Sequence, residues 1–270
     1  MSDRSRVLIT GGSGLIGGLV IKHLSDKYEF SNLSRRAVEG IRSTAASIGD
    51  LEAIRPAFDG IDMVLHLAAF TEDSADWDGQ LDITVKGTVN VFRATQEVGV
   101  WRVVNMSKGS TMCGWEWYEG APYGALARGE YESVEKPWPT IDYADAVRPD
   151  SPYGAAKVFT KAAGRWFSYA YSMSMLNIRL GVFLDTNAPK RLRHFPGFLD
   201  QMDAVRMIDA CLSASETVKF DVFDAISDNS TCWRDTSHAE DVIGWKAEGS
   251  SDRFEPNDYR DQPGPALPTG

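Results

Sequence analysis

Histidine and cysteine are scarce in this sequence, with four histidines and three cysteines among 270 residues. Cys113, Cys211 and Cys232 are odd in number, far apart and without histidines at ligand spacing, which argues against a disulfide framework and a zinc site. Basic residues are in deficit as well. Twenty-eight Lys and Arg stand against 38 Asp and Glu, a formal charge of -10, which argues against a polyanion-binding surface for nucleic acid and against an anionic membrane face. Any phosphate must therefore be bound locally. No apolar run approaches the ~20 residues needed to span a bilayer, and the polar stretch Met1 to Arg6 leads into a strand without a signal-peptide pattern. The expectation is a soluble, cytoplasmic protein that binds no metal. At 43% hydrophobic residues, the chain can bury one large α/β domain, alone or with a small appended lobe.

What is present begins with a short apolar run, Val7 to Thr10, then Gly11-Gly12-Ser13-Gly14-Leu15-Ile16-Gly17 and a helical pattern through Leu24. Strand, glycine turn and helix in that order suit a dinucleotide pyrophosphate. One glycine makes the turn, one lets the backbone approach the phosphates, one allows close packing, and the helix N-terminus favours the anion. The second strand, Tyr28 to Leu33, ends in Ser34-Arg35-Arg36. A carboxylate there would accept from the ribose hydroxyl of NAD; a small polar residue followed by two guanidiniums favours the extra phosphate of NADP, with NAD as the alternative. Asp50-Leu51 follows a third short segment and places a carboxylate either near an adenine or in a solvated turn. The fourth strand, Asp62 to Leu67, runs into Ala68-Ala69-Phe70, small residues against which a cofactor can lie, and His66 within it reads as a packed core histidine. A helix over Asp82 to Val98 and a fifth strand over Trp101 to Asn105 follow.

Regular patterning stops between Ser107 and Pro149, where aromatics such as Trp115, Trp117, Tyr118 and Trp138 alternate with Gly, Pro and acidic residues. So long a segment within a domain suggests a substrate lid. Beyond it lies Ser151-Pro-Tyr-Gly-Ala-Ala-Lys157, with Ser151 as cap and Pro152 at a helix start. Tyr153 and Lys157 are one turn apart on one helix face, so an ammonium can stand beside a phenol. Bringing a phenol from about 10 to about 7 takes roughly 4 kcal/mol. A charge about 5 Å away at an effective dielectric of about 20 supplies roughly 3 kcal/mol. The pair is physically capable of acting as a proton shuttle. Further on, Met175 to Leu180 and Phe220 to Ile226 read as strands, Asp203 to Ala214 and Asp235 to Ile243 as helices, and the tail from Glu248 as poorly ordered at its end.

Taken together, Thr10-Gly11-x-x-Gly14-x-x-Gly17, His66-Leu67-Ala68-Ala69 and Tyr153-x-x-x-Lys157 resemble the extended short-chain dehydrogenase/reductase family, the NAD-dependent epimerase/dehydratase group. Within it the chain looks most like the uronate dehydrogenases. The resemblance implies a Rossmann-type, doubly wound parallel sheet over residues 1–182, a small substrate lobe over 183–250 and a flexible tail over 251–270. It implies an NADP-preferring oxidoreductase that moves hydride between nicotinamide and a hydroxyl or carbonyl of a small polar substrate, such as a sugar or sugar acid. Sugar epimerisation or dehydration with retained cofactor, and a catalytically weak NADP sensor, are the alternatives. Tyr153 would be the general base and Lys157 its partner, with Gly11, Ser13, Gly14, Leu15, Ile16, Gly17, Ser34, Arg35, Arg36, Asp50, Leu51, Leu67, Ala68 and Ala69 around the cofactor. The family's catalytic Ser or Thr falls on Lys108 or Gly109 here, which makes Ser110 the first candidate and Ser107 the second. Thr84 stands where an asparagine is usual. Thr71, Ser110 and Arg191 are expected on the substrate side, Arg191 gripping a carboxylate. The helices over Asp82 to Val98 and Tyr153 to Phe167 are those through which relatives form homodimers.

Overall fold

Val7, Leu8 and Ile9 are all buried, so their strand is covered on both faces, the usual state of a parallel strand between two helical layers. A computed structural model describes residues 4–259 and shows seven strands: β1 (Arg6–Thr10), β2 (Glu29–Ser34), β3 (Arg42–Ala45), β4 (Met63–His66), β5 (Arg102–Lys108), β6 (Ser174–Leu180) and β7 (Phe220–Ala225). All pairs are parallel, in the order β3-β2-β1-β4-β5-β6-β7, as expected for a Rossmann-type sheet. The order reverses between β1 and β4. Loops leaving those two strands diverge there and open a crevice at the C-terminal edge.

The pleat divides the core. Val7 and Ile9 face one layer, with Val20 of α1 (Leu15–Leu24) and Met207, Ile208 and Cys211 of a later helix. Leu8 faces the other, with Ile54 of α2 (Leu51–Ile54), and with Phe92 and Phe167 further along the chain. Phe92 belongs to a helix that begins as α3 (Trp77–Gly79), passes through a π-helical stretch, Gln80–Gly87, and continues as α4 (Thr88–Val98). It starts earlier than the apolar pattern indicates because the Asp76 carboxylate accepts hydrogen bonds from Asp78 and Gly79 N–H at 2.9 and 3.2 Å. β5 in turn runs on to Lys108, three residues beyond its expected end, because every residue from Arg102 to Lys108 pairs with β6. Ser107 and Lys108 therefore sit on a strand rather than in a loop.

The segment 107–149 is folded. It contains short helical turns, among them α5 (Tyr123–Ala127), and its own apolar cluster of Met112, Tyr123, Leu126 and Ile141 closed by Trp233. Trp138 Nε1 donates to Cys232 O at 2.9 Å, and the Arg148 guanidinium lies 4.1 Å from the Trp115 ring centre. α6 (Pro152–Tyr171), α7 (His194–Gly197), α8 (Gln201–Ser213) and α9 (Ser237–Ile243) complete the helices. The structure divides the expected lobe 183–250 differently. β7 joins the main sheet and α8 packs against it, whereas Trp233 and Arg234 join the 107–149 segment through the bridge Ile141–Arg234. Residues 251–259 of the expected tail are also anchored: Ser251 is buried, Ser230 donates to the Asp252 carboxylate, and Arg253 donates to Asp200 at 2.8 Å. The rest of that expected tail lies outside the described residues.

Where the sheet meets the 107–149 segment lies a buried ionic knot. Asp224 accepts from Arg179 Nη1 at 3.2 Å through one oxygen and from Arg234 Nη1 at 3.1 Å through the other, and all three side chains are almost inaccessible. Removing the shared carboxylate leaves two guanidiniums buried without it. Asp224→Ala is expected to destabilise the protein by about 3–5 kcal/mol in denaturant unfolding, and a loss below about 1 kcal/mol would show that the knot relaxes into solvent.

Candidate active site

The turn after β1 is built for close approach. Gly11 has φ 75°, and a Cβ on it would stand 3.0 Å from the Ala68 nitrogen. At Gly17 a Cβ would meet Gly12 Cα and O at 2.5 Å, so glycine lets α1 dock on the turn that precedes it. Gly14 caps α1 with no side chain over the first N–H groups, which leaves them open to a ligand. Gly11, Ser13 and Gly14 form one wall of a cleft, Ser34, Arg35 and Arg36 its end, and Leu67 to Glu72 the opposite wall. Ser34 Oγ donates to Arg36 O at 2.6 Å and lies within hydrogen-bond distance of Ser13 Oγ, at 3.2 Å, tying the end of β2 to the glycine turn. Arg35 reaches across the mouth to Glu72 at 3.1 Å. Asp50 and Leu51 do not line this cleft. The Asp50 carboxylate accepts from Ala53 N–H at 3.1 Å and so caps α2, while Leu51 packs into the core; Ser47 and Ile48 line the cleft instead.

A second cavity continues from the first, sharing Gly11, Gly14, Leu67 and Thr71 and adding Leu15, Ile16 and Gly17. Into this cavity the fold brings Tyr153, Lys157, Ser107, Lys108 and Ser110. Ser151 Oγ accepts from Gly154 N–H at 3.1 Å and sets the start of α6, which puts Tyr153 and Lys157 on the cavity side of the helix. Tyr153 N–H donates to Ser74 O at 3.1 Å, linking α6 to the loop after β4. That loop is held from behind: Thr84 Oγ1 accepts from Phe70 N–H at 3.0 Å, and Gln80 Nε2 donates to Phe70 O and Asp73 O, both at 3.1 Å. Thr84 thus braces the cavity wall. His66 is buried between Thr10 Oγ1 at 2.7 Å and Thr88 Oγ1 at 2.9 Å, and burial lowers its pKa to about 3. It is a neutral packing group.

The electrostatics of the Tyr153–Lys157 pair differ from the sequence-based expectation. Lys157 Nζ donates to Met106 O at 2.8 Å and lies 5.8 Å from the Tyr153 ring centre. Burial, followed by repulsion from Lys108, brings the Lys157 pKa down to about 7. Burial pushes the Tyr153 phenol up to about 12 rather than down. The protein alone therefore holds Tyr153 as a neutral proton donor. Ser107 Oγ is buried in the same cavity with no hydrogen-bond partner, although a buried hydroxyl ordinarily has one. An orphaned hydroxyl beside a glycine cradle fits a bound dinucleotide whose polar groups complete it.

A third cavity, about 260 Å³ in volume, meets the second at Lys108, Ser110, Leu180 and Phe183. Its far wall contains Glu116, Asp150 and Arg193, an assembly without a local sequence signal because its members come from three distant segments. Arg193 Nε donates to Glu116 at 2.6 Å and Nη2 to Asp150 at 3.0 Å. Burial opposes the Arg193 charge, but the Glu116 carboxylate, with Asp150 beside it, outweighs burial and raises the guanidinium pKa. His194, also in this wall, is lowered to about 4 by burial and by Arg191 and Arg193. Arg191 is exposed and lines none of these cavities, and Thr71 lines the first two but not the third.

A glycine cleft at the sheet's switch point, running into a Tyr–Lys pair on one helix, defines a nicotinamide-dinucleotide site of the short-chain dehydrogenase/reductase class. The profile described as "NAD dependent epimerase/dehydratase family" matches residues 7–245, and the chain belongs to that family. Membership supports its reading as an NAD(P)-dependent enzyme of the extended short-chain type. The chain is similar to an NAD-dependent glucose-6-phosphate dehydrogenase of Haloferax volcanii, 25% identical over 258 residues, 92% of this chain and 95% of that one. An L-arabinose 1-dehydrogenase (NAD(P)(+)) of the same organism is 28% identical over 180 residues, 67% of this chain and 68% of that one. In fold it is similar to uronate dehydrogenase from Agrobacterium tumefaciens, with a TM-score of 0.80 at 19% identity, covering 98% of this chain and 92% of that one.

Burying Lys157 has a pH signature. With a folded pKa near 7 against an ordinary 10.5, the unfolded chain binds more protons between those values. The burial cost is therefore complete below pH 7 and fades as pH rises towards 10.5. The melting temperature of Lys157→Met minus that of the parent is expected to be most positive below neutrality and to shrink as pH rises through this window; a pH-independent gap would show that Lys157 is not buried as a charge.

Proposed function

We propose that this protein is a nicotinamide-dependent dehydrogenase/reductase acting on a hydroxyl or carbonyl carbon of a monosaccharide-sized substrate, with NADP as its preferred cofactor. One observation carries the reading: Tyr153, Lys157 and Ser110 line one cavity that continues the dinucleotide cleft, and through Ser110 it opens on a separate small cavity. A bound nicotinamide supplies the hydride donor or acceptor. The chain supplies the rest. Gly11, Ser13 and Gly14 take the pyrophosphate, the wall Leu67–Ala69 supports the cofactor, and Lys157 and Ser107 hold the nicotinamide half. Tyr153 exchanges a proton with the substrate oxygen, giving it up in reduction and taking it in oxidation. Held as a neutral phenol, Tyr153 is set for the reductive direction.

The substrate cavity is slightly below the ~300–1,000 Å³ usual for drug-sized ligands, which favours a free sugar or sugar acid over a nucleotide-linked one. The two sugar dehydrogenases among the relatives point the same way. NADP preference is supported by Ser34, Arg35 and Arg36 at the end of the cleft, where no carboxylate ends β2. Arg36 is the better placed of the two arginines for a ribose phosphate, because Arg35 is engaged by Glu72.

Tyr153→Phe is expected to lower kcat ~10²–10⁴-fold, followed by the absorbance of reduced nicotinamide across neutral sugars, sugar acids and sugar phosphates. A rate equal to the parent's would remove Tyr153 from the reaction. For the cofactor, Ser34→Asp with Arg36→Ala should move the NADP/NAD ratio of kcat/KM at least ~10-fold towards NAD, since a good charge-assisted contact is worth ~1.5–3 kcal/mol. An unmoved ratio would mean that this corner does not read the ribose.

A further inference from the structure

The reacting carbon must lie where the nicotinamide and substrate cavities join, since it faces cofactor on one side and the remainder of its own molecule on the other. Four residues line both cavities, and two of them, Lys108 and Ser110, are polar. Lys108 ends β5, opposite Leu180 on β6. Its Nζ donates one hydrogen bond, to Gly181 O at 2.7 Å, and an ammonium has three hydrogens to place. No ion pair among the described residues neutralises it, unlike Arg193, which is held by Glu116 and Asp150, and Arg234, which is held by Asp224. Met106 and Lys108, two apart on one strand, share a face, and Met106 O is the anchor of Lys157. Two ammonium groups thus face one small space, close enough that Lys108 depresses the Lys157 pKa.

We propose that Lys108 is a catalytic residue whose ammonium hydrogen-bonds the reacting oxygen of the substrate, the electrophilic task for which the sequence has no hydroxyl at the expected position. The proposal rests on the function given above. In oxidation the substrate loses a hydride from carbon and a proton from oxygen, the proton passing to Tyr153, and the oxygen carries most negative charge between these events. In reduction the carbonyl gains both. In either direction Lys108 exchanges no proton and stabilises charge at the oxygen. An ammonium serves this better than a neutral hydroxyl, because a charge-assisted hydrogen bond is stronger in a water-poor site. Burial brings the Lys108 pKa to about 8, with Cys113 and Asp150 opposing and Arg234 adding to the shift, so the group is still mainly cationic at neutral pH. The adjacent Ser110 is left to orient the substrate.

The test compares Lys108→Gln and Lys108→Arg with the parent. Lys108→Gln is expected to lower kcat ~10²–10³-fold, as loss of an oxyanion donor does, with KM altered much less. Lys108→Arg should recover a substantial part. NADPH affinity, read by fluorescence, should be unchanged in both. A readout independent of turnover is binding of an aldonolactone, whose carbonyl oxygen would accept from Lys108, to the NADPH-loaded enzyme by calorimetry. Lys108→Gln should weaken it about tenfold, while the anhydro-alditol lacking that oxygen binds parent and variant alike. A KM rise confined to sugar acids or phosphates, with kcat preserved, would make Lys108 a receptor for a substituent and overturn the proposal. Unchanged kcat, unchanged lactone binding or lost NADPH affinity would overturn it too. Failure of the underlying function shows elsewhere, as full activity in Tyr153→Phe.

Discussion

The geometry of the candidate active site depends on the hydrogen bond from Lys157 Nζ to Met106 O. It joins α6 to β5 at the edge where the sheet opens, and it does so with an ammonium that the surrounding core disfavours. Burying a charge on a single carbonyl is a poor arrangement for stability alone, because carbonyl dipoles repay only part of the lost hydration. The arrangement makes sense as a site awaiting other groups. The orphaned Ser107 hydroxyl and the second ammonium of Lys108 have the same character. All three cluster on a few residues of one strand end, which is where an open α/β sheet places its ligands.

Those features were unequally legible in the sequence. The glycine turn and the Tyr153–Lys157 spacing are local, so spacing along the chain fixes their geometry, and most of the strands read as short apolar runs, β3 with its Arg-Ser-Thr-Ala being the exception. Ligand positions set by a few residues of context were harder. Asp50 sits before a helix, and its carboxylate has an N–H group of its own chain to cap, so it turns away from the cleft. Arg191 is one of several cations in a loop, and which of them points inward depends on Glu116 and Asp150, more than 40 residues away, which draw in Arg193. The irregular stretch 107–149 lacks periodicity because its turns are short, yet its aromatics find Trp233 and close a separate core.

The phenol pKa shows a similar division between local and global. One helical turn brings Lys157 beside Tyr153, and from that alone a lowered phenol follows. Packing changes the sign. The same burial that brings the pair together removes water from both, lowers the lysine, raises the tyrosine, and directs the ammonium towards the backbone of β5. A proton donor is what remains, and cofactor and substrate must supply any charge that turns it into a base.

On the proposed function, selection of substrate would fall to shape and hydrogen bonding more than to net charge. The cavity-wall arginines are matched internally: Arg193 by two carboxylates, and Arg234 by Asp224. A substrate carboxylate entering there would have to compete with Glu116 or Asp150 for Arg193, giving up solvent for a partner already taken. A neutral polyol has no such cost, since both hydrogens and lone pairs of its hydroxyls can meet the fixed donors and acceptors of the wall. The unmatched charge stands at the other end, where the cavity meets the nicotinamide half of the cleft. On the proposed function, charge appears on the reacting oxygen at that end only during reaction, so the unmatched cation would act on the transition state more than on the bound substrate.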